Sequence, residues 1–569
     1  MFDIKKIPFS RYGSFITISR NHQEEGDSPL YLRNIRNGDN EFGEVFRIDL
    51  IHEGNLLPYK AVLSPSMLRL ENAEGYAEFC ITEARVLQIR SHSVGVRLTG
   101  ITGAYDYAVP VEDDRWEVNH SRQEMRYMLT SIKGRLVVDA PFIEQRCEKI
   151  IVDYLPESDT GEMEGVIEEF MTVYTARSYL AFTEGHDNVL NEYESWVDNT
   201  LEIPEKYVRG KEMAAYVTWS CVVAPEGMLT RPAMYMSKNW MTNIWSWDHC
   251  FNALALAKNN PDLAWDQLMI FFDLQDKSGM LPDFVNNRSA LWNFTKPPIH
   301  GWTLRRMWEQ NDFVSADKLL EVYQPLVKWT EWWLTFQDSD KDGIPQYNHG
   351  NDSGWDNSTI FHKGTPVESP DLSSFLVLQM EVLSEIACKL GKNEEARKWL
   401  DESQALLNRM IEHFWNGQRF VAKRSGTHEI IESDSLVLYV PLILGDRLPP
   451  EILNKLVEDI KTKGFLTEYG LATELPNSPF YREDGYWRGP IWAPTTMLLV
   501  DGLVSSGEKK LALEVAKKFC SMATKSGMAE NYDALTGSGL RDPAFTWTSS
   551  VFLILGQHLS QEDQGLKRR

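Results

Sequence analysis

Two regimes of hydrophobic spacing divide the chain. Up to about residue 180, apolar and polar positions alternate in short runs: SFITIS, FRIDLI, MLRLEN, VLQIRS, VGVRLTG and EMRYMLTS. The clusters RNGDN and ENAEG interrupt them with turn-forming residues. Alternation at period two puts one face of a strand on a core, and β-branched residues suit the pleated surface. Many such runs in succession predict an all-β sandwich over residues 1–180. The segment EGHDNVLNEYESWVDNTLEIP reads as a helical linker over 181–202.

From about residue 203 the spacing becomes helical. Twelve amphipathic stretches begin near 205, 248, 261, 300, 315, 369, 392, 434, 449, 490, 508 and 544. In NEEARKWLDESQALLNRMIEHFW, residues Ala396, Trp399, Leu400, Leu406, Leu407, Met410, Ile411 and Phe414 form one stripe. Another stretch has Asp371 as a candidate N-cap and Gly391 as a candidate C-cap. Twelve helices joined by alternating short and long connections predict an (α/α)6 barrel over 203–569, and the absence of a fixed-period repeat disfavours a helical solenoid. The expected fold class is therefore mainly α, a barrel preceded by an N-terminal β-sandwich.

Composition narrows the partners. A chain of 569 residues exceeds one ordinary domain. A net charge of -24 repels nucleic acid and anionic membranes, so a small neutral molecule is the expected partner. No run is apolar enough for a secretory leader or a membrane span, which points to a cytoplasmic protein. The six cysteines are scattered without a CxxC and read as buried thiols rather than a disulfide framework. Nothing in the sequence sets an oligomeric state. Of 19 tryptophans, only Trp116 and Trp196 precede residue 200. Such density in the helical part means a large aromatic core or a cleft that stacks sugar rings.

Four stretches in the long connections hold the chemistry-bearing residues. In NIWSWDHCF, Trp245 and Trp247 flank Asp248 at a predicted helix start. Asp248 reads as an acidic helix terminus, or as an acceptor for sugar hydroxyls between two indole platforms. In GNDSGWDNS, Asp356 lies between Trp355 and Asn357. Asn, Asp, Ser and Gly make an ordinary turn, but a carboxyl desolvated by a buried indole keeps its proton and can serve as a general acid. DGYWRGPIWAP offers Tyr486, Trp487 and Trp492 as stacking faces and Arg488 as a charge, with Pro490 expected in a first helical turn. MAENYDALTGSGLRDPAFTWTSS carries Glu530 and Tyr532 before a glycine-rich turn, then a helix with Trp547. Glu530 by itself reads as a solvated carboxylate. Trp302, at another helix start, completes the aromatic candidates.

Together these stretches, in this order, resemble glycoside hydrolase family sixty-three and its mannosylglycerate-hydrolase-like and trehalase-like (α/α)6 relatives. The W-x-W-D, G-x-D-N-S, Y-W-R-G-P-x-W and E-N-Y-x-x-x-T-G motifs all occur, and the resemblance spans about residues 203–560. It implies an inverting α-glycosidase with Asp356 as general acid and Glu530 as general base. It also implies that Trp245, Asp248, Tyr486, Arg488 and Trp547 lie near the glycone. Inversion uses a protonated carboxyl on the glycosidic oxygen and an ionised one on the attacking water, roughly 6.5–9.5 Å apart. An inverting disaccharide phosphorylase and a non-catalytic carbohydrate-binding protein remain the alternatives.

No cofactor is expected, because no P-loop, dinucleotide fingerprint or zinc-type His/Cys spacing is present. DSDKDGIPQ does place Asp338, Asp340 and Asp342 at alternate positions before Gly343. His349 at the twelfth position excludes an EF-hand. The loop reads either as an acidic turn or as a structural calcium site of the three Asp, the Ile344 carbonyl and Gln346, with Glu368.

Overall fold

The computed structural model describes residues 2–23, 28–112, 114–310 and 313–567. The N-terminal part contains two eight-stranded antiparallel sheets. In the first, Ile16–Arg20, Leu30–Asn34, Glu44–His52, Gly95–Gly100 and Ile151–Leu155 are successive neighbours. In the second, Met125–Lys133, Glu162–Phe170, Val86–His92 and Tyr76–Glu83 are successive neighbours. Their facing apolar residues, among them Ile18, Ile48, Phe79, Ile89, Leu98, Leu129 and Ile167, form one core. Strand Ile151–Leu155 buries alternate positions because successive side chains leave opposite faces, whereas central strands such as Leu30–Asn34 and Tyr76–Glu83 are buried on both. Helix Phe182–Asp198 leads into the second part and packs on strand Tyr76–Glu83.

The second part is an (α/α)6 barrel. Its inner ring consists of Asp248–Leu256, His300–Gln310, Pro370–Lys389, Leu436–Arg447, Ala493–Ser505 and Thr546–Lys567. Each packs on the next, and the last closes on the first. Val208–Ser220, Pro261–Asp273, Ala316–Phe336, Asn393–Phe414, Pro450–Thr462 and Lys509–Ser526 make the outer layer. The inner helix Pro370–Lys389 is buried over most of its circumference, whereas the outer helix Asn393–Phe414 keeps a polar face.

The elements depart from the sequence expectations at several points, each for a local reason. Leu400 is 54 % exposed, off the buried stripe that keeps Ala396, Trp399, Leu406, Leu407, Met410 and Phe414. Ser369 rather than Asp371 is the N-cap of Pro370–Lys389; the Asp371 carboxylate instead accepts from the Tyr347 hydroxyl at 2.8 Å and from Ser369. Pro490 precedes the short strand Ile491–Trp492, and Pro494 occupies the first helical turn. The stretch near 434 is a 3-10 segment, with Pro441 removing a donor and Gly445 breaking the spiral at φ 56. All six cysteines are free and five are buried, but Cys388 is exposed. No described helix is long and apolar enough to cross a membrane.

Candidate active site

The connections that precede five of the six inner segments converge on one cavity of about 130 Å3. It is small beside the roughly 300–1,000 Å3 of ordinary ligand sites, a size that suits one sugar ring. Trp245, Trp247, Asp248, Asp356, Tyr486, Trp487, Trp492, Glu530 and Trp547 all line it.

Short strand pairs set the positions of these residues. Ile244–Trp245 pairs with Phe284–Val285, which fixes the approach to Asp248 in the first turn of its helix. Ile491–Trp492 pairs with Asn531–Tyr532 in the register Trp492 to Asn531, so the third and fourth motifs are hydrogen-bonded neighbours. The Glu530 amide donates to the Asp542 carbonyl at 2.7 Å. Asp356 follows the 3-10 turn Gly350–Ser353, where Gly354 adopts φ 71. Asn357 ties this turn to the third motif: its Nδ2 donates to the Gly485 carbonyl at 3.1 Å, and its Oδ1 accepts from the Trp487 amide at 2.9 Å.

The indoles form a connected wall. Trp487 and Trp492 stack at 4.0 Å with 6° between planes. Trp547 meets Trp492 edge-on at 5.4 Å and Trp247 at 6.0 Å. Trp355 is fully buried behind Trp487, 4.9 Å away, so it supports the wall rather than lining the cavity. Four further sequence candidates also lie outside the lining. The Trp302 indole donates to Asp501 at 2.8 Å, and the Tyr532 hydroxyl donates to the Gly527 carbonyl at 2.6 Å in the core. Asn357 acts as the clamp just described, and Arg488 is not among the lining residues; its charge acts on Glu474 instead.

The electrostatics bring three carboxyls and one ammonium together. Burial raises the carboxyls of Asp248, Asp356 and Glu530 above their ordinary values. Glu530 is pushed up to about 8, first by burial and then by Asp542, against the opposing pull of Arg541. Lys296 works against the rise at Asp248 and Asp356. It is itself buried, with Nζ 3.2 Å from Asp283 and 3.9 Å from Asp356, and it donates to the Asn351 carbonyl at 2.9 Å and Oδ1 at 2.6 Å. Burial lowers its proton affinity and the carboxylates more than restore it, so the ammonium stays charged. Sequence reasoning missed Lys296 because a lone lysine in NFTKPPIH has no periodic or motif signature; its place before a Pro-Pro helix entry was the available signal.

Two outcomes follow locally. Because the folded state holds the Glu530 proton up to about 8 against an ordinary 4.5, its contribution to stability is complete below pH 4.5. That contribution is lost as pH rises toward 8. The neutral isostere Glu530→Gln should therefore gain stability relative to wild type across that window. Parallel melting-temperature profiles for the two proteins would contradict the burial account. At Gly354, an added Cβ would sit 2.6 Å from Trp247 Cε2 at a positive φ. Gly354→Ala should displace the indole, raise KM several-fold and cost about 1–3 kcal/mol; steady-state kinetics with an unchanged KM would show that the wall yields freely.

Residues 241–548, which contain all four motifs, match the family described as mannosylglycerate hydrolase MGH1-like glycoside hydrolase domain. The chain belongs to that family. This MGH1-like protein is a glycoside hydrolase. It is 22% identical over 393 residues to the mannosylglycerate hydrolase of Thermus thermophilus, covering 54% of this chain and 93% of the relative. It is 23% identical over 406 residues to the glucosylglycerate hydrolase of Mycolicibacterium hassiacum, covering 55% and 91%. A bacterial glucoamylase solved with acarbose aligns over 98% of this chain and 94% of its own, at a TM-score of 0.63 and 13% identity. That likeness takes in both the sandwich and the barrel, as a likeness of fold. The two hydrolases cover little more than half of this chain.

The acidic loop gathers differently from the calcium set read from the sequence. Asp338, Asp340 and Asp342 do cluster. The Asp338 carboxylate accepts from the Gly343 amide at 3.0 Å, and Asp340 accepts from the Gly426 amide at 2.8 Å. The Gln346 side chain is turned to Ser339, Asn348 and Ser425, and Ser425 donates to its Oε1 at 2.6 Å. The Ile344 amide donates to Asp342 at 2.8 Å. Glu368 lies fully buried beside two histidines, His413 and His428, that sequence spacing did not associate with the loop.

Proposed function

We propose that this MGH1-like hydrolase cleaves a small α-glucoside or related α-glycoside with inversion of configuration. Asp356 protonates the glycosidic oxygen, and Glu530 takes a proton from the water that attacks the anomeric carbon from the opposite face. One observation carries the reading: two carboxyls raised by burial, from separate loops, border a single sugar-sized cavity walled by indoles. Asp248 and Lys296 supply hydrogen-bonding partners for ring hydroxyls within the same cavity. The names of the two relatives make α-mannosylglycerate and α-glucosylglycerate the first substrates to offer. Proton NMR of the first product tests the stereochemistry. A β-anomer released from an α-glycoside supports inversion, and an initial α-anomer rules it out. Strict dependence on phosphate would replace hydrolysis by phosphorolysis.

The order of the proton affinities has a consequence for the rate. Without substrate, Glu530 holds its proton up to about 8, while Asp356 is drawn back toward ionisation by Lys296. The productive arrangement puts the proton on Asp356 and leaves Glu530 ionised, so the rise at Glu530 works against it. The rate profile should be a bell whose limbs belong to the pair rather than to either residue, with the alkaline limb near 8. The same order favours a second reading in which Glu530 is the acid and Asp356 the base.

A further inference from the structure

We propose that Asp342, Glu368, His413 and His428 form a binding site for a borderline divalent transition cation of the zinc class. The four side chains come from separate segments that a small sheet brings together. Gln346–Tyr347 pairs with Val367–Glu368, which pairs with Ala422–Arg424, which pairs with Ile430–Ile431. Glu368 is the central residue, in register with Gln346 on one side and Lys423 on the other. His428 occupies the turn of the last hairpin at φ 54, and His413 comes from the final turn of the outer helix Asn393–Phe414.

The donor atoms of all four lie within 4.8 Å of one another. His413 Nε2 is 2.7 Å from Glu368 Oε2, and His413 Nδ1 is 3.8 Å from Asp342. His428 Nε2 is 2.9 Å from Asp340 Oδ2, 3.4 Å from Asp342 and 4.0 Å from Glu368 Oε1. Ligands roughly 2.0–2.2 Å from a common ion are separated from one another by about 3.4 Å in a tetrahedral site, the scale seen here. Glu368 is the independent pointer. Its side chain is fully buried, and Oε1 has no hydrogen-bond partner although it faces His428. A buried carboxylate oxygen left unpaired is costly unless a cation completes it.

The donor chemistry selects the ion. Calcium takes six to eight oxygens and has little use for imidazole. Two imidazoles with two carboxylates suit zinc, cobalt, nickel or iron. Of the oxygens read as calcium ligands from sequence, Gln346 Oε1 accepts from Ser425, and Asp340 Oδ2 is shared between the Gly426 amide and His428. The ion would staple the hairpin to the outer helix at the base of the segment that runs on to Asp356. Its role is structural.

The test uses the full chain stripped by a chelator, then titrated separately with zinc, cobalt and calcium while thermal unfolding and the visible spectrum are followed. The expected result is a higher melting temperature with zinc or cobalt, and a cobalt absorption band with its affinity weakened at least about tenfold in both His413→Gln and His428→Gln. Asp338→Asn should leave that affinity nearly unchanged. His428 is 40 % exposed, so its variant folds even if the His413 variant does not. Stabilisation by calcium alone, lost in Asp338→Asn and kept in the histidine variants, would overturn the proposal in favour of an oxygen-ligated loop. No stabilisation by any ion would reduce the cluster to a hydrogen bond between His413 and Glu368.

Discussion

Asp356→Asn should lower turnover of a natural α-glycoside by about 10²–10⁴-fold, the usual contribution of a positioned acid. The same variant should recover most of its rate on an α-glycosyl fluoride, whose leaving group needs no proton. Glu530→Gln should lose a comparable factor on both substrates, because the water still lacks its base. The contrast matters because burial pushes Glu530 up to about 8, while Lys296 opposes the rise at Asp356. If the fluoride rescues Glu530→Gln and not Asp356→Asn, the two roles are exchanged. If both variants keep full activity, neither carboxyl takes part. Binding of the intact substrate to both variants, measured by calorimetry, would show that the wall of Trp487, Trp492 and Trp547 still holds the sugar.

Lys296→Met should be the most damaging single change outside the carboxyl pair. The ammonium is the counter-charge for Asp283, both of them buried, and stands beside Asp248 and Asp356, the latter one-third exposed at the cavity. Removing one partner of a buried ion pair costs about 3–5 kcal/mol, because the other charge is left desolvated. Denaturant unfolding would read that loss directly. Without Lys296 the Asp356 carboxyl rises further, so the acid limb of the rate profile should move to higher pH. Lys296→Arg keeps the charge and should keep the limb in place while disturbing the tight fit to Asn351. A variant as stable as wild type with an unmoved profile would remove Lys296 from the electrostatic frame.

Much of this frame was readable from linear patterns. Period-two runs such as FRIDLI and VLQIRS became strands of the sandwich, and eleven of the twelve helical stretches became α-helices within a few residues of their expected starts. The exception near 434 carries Pro441 and Gly445, and an apolar pattern does not reveal how far those two residues distort the spiral. Leu400 shows a related limit: a hydrophobic residue beside a stripe need not be buried, since the stripe is narrower than the apolar arc of the helix.

The pair Asp356 and Glu530 was singled out by motif order, and both carboxyls border the one cavity. Their chain positions differ by 174 residues, and what joins them is the pairing of Trp492 with Asn531 and the Asn357 clamp on Trp487. Long-range contacts of this kind leave no local periodicity. Lys296, which acts on Asp356, and His413 and His428, which approach Glu368, were invisible for the same reason. Local spacing by itself determined which segments are strands and helices, where their apolar faces lie and which loops are rich in indoles and carboxyls. Only the closing of the inner ring decided which of those loops share a cavity and which indoles line it. It also decided which carboxyls lose water, because desolvation and Coulomb attraction depend on distances through space rather than along the chain.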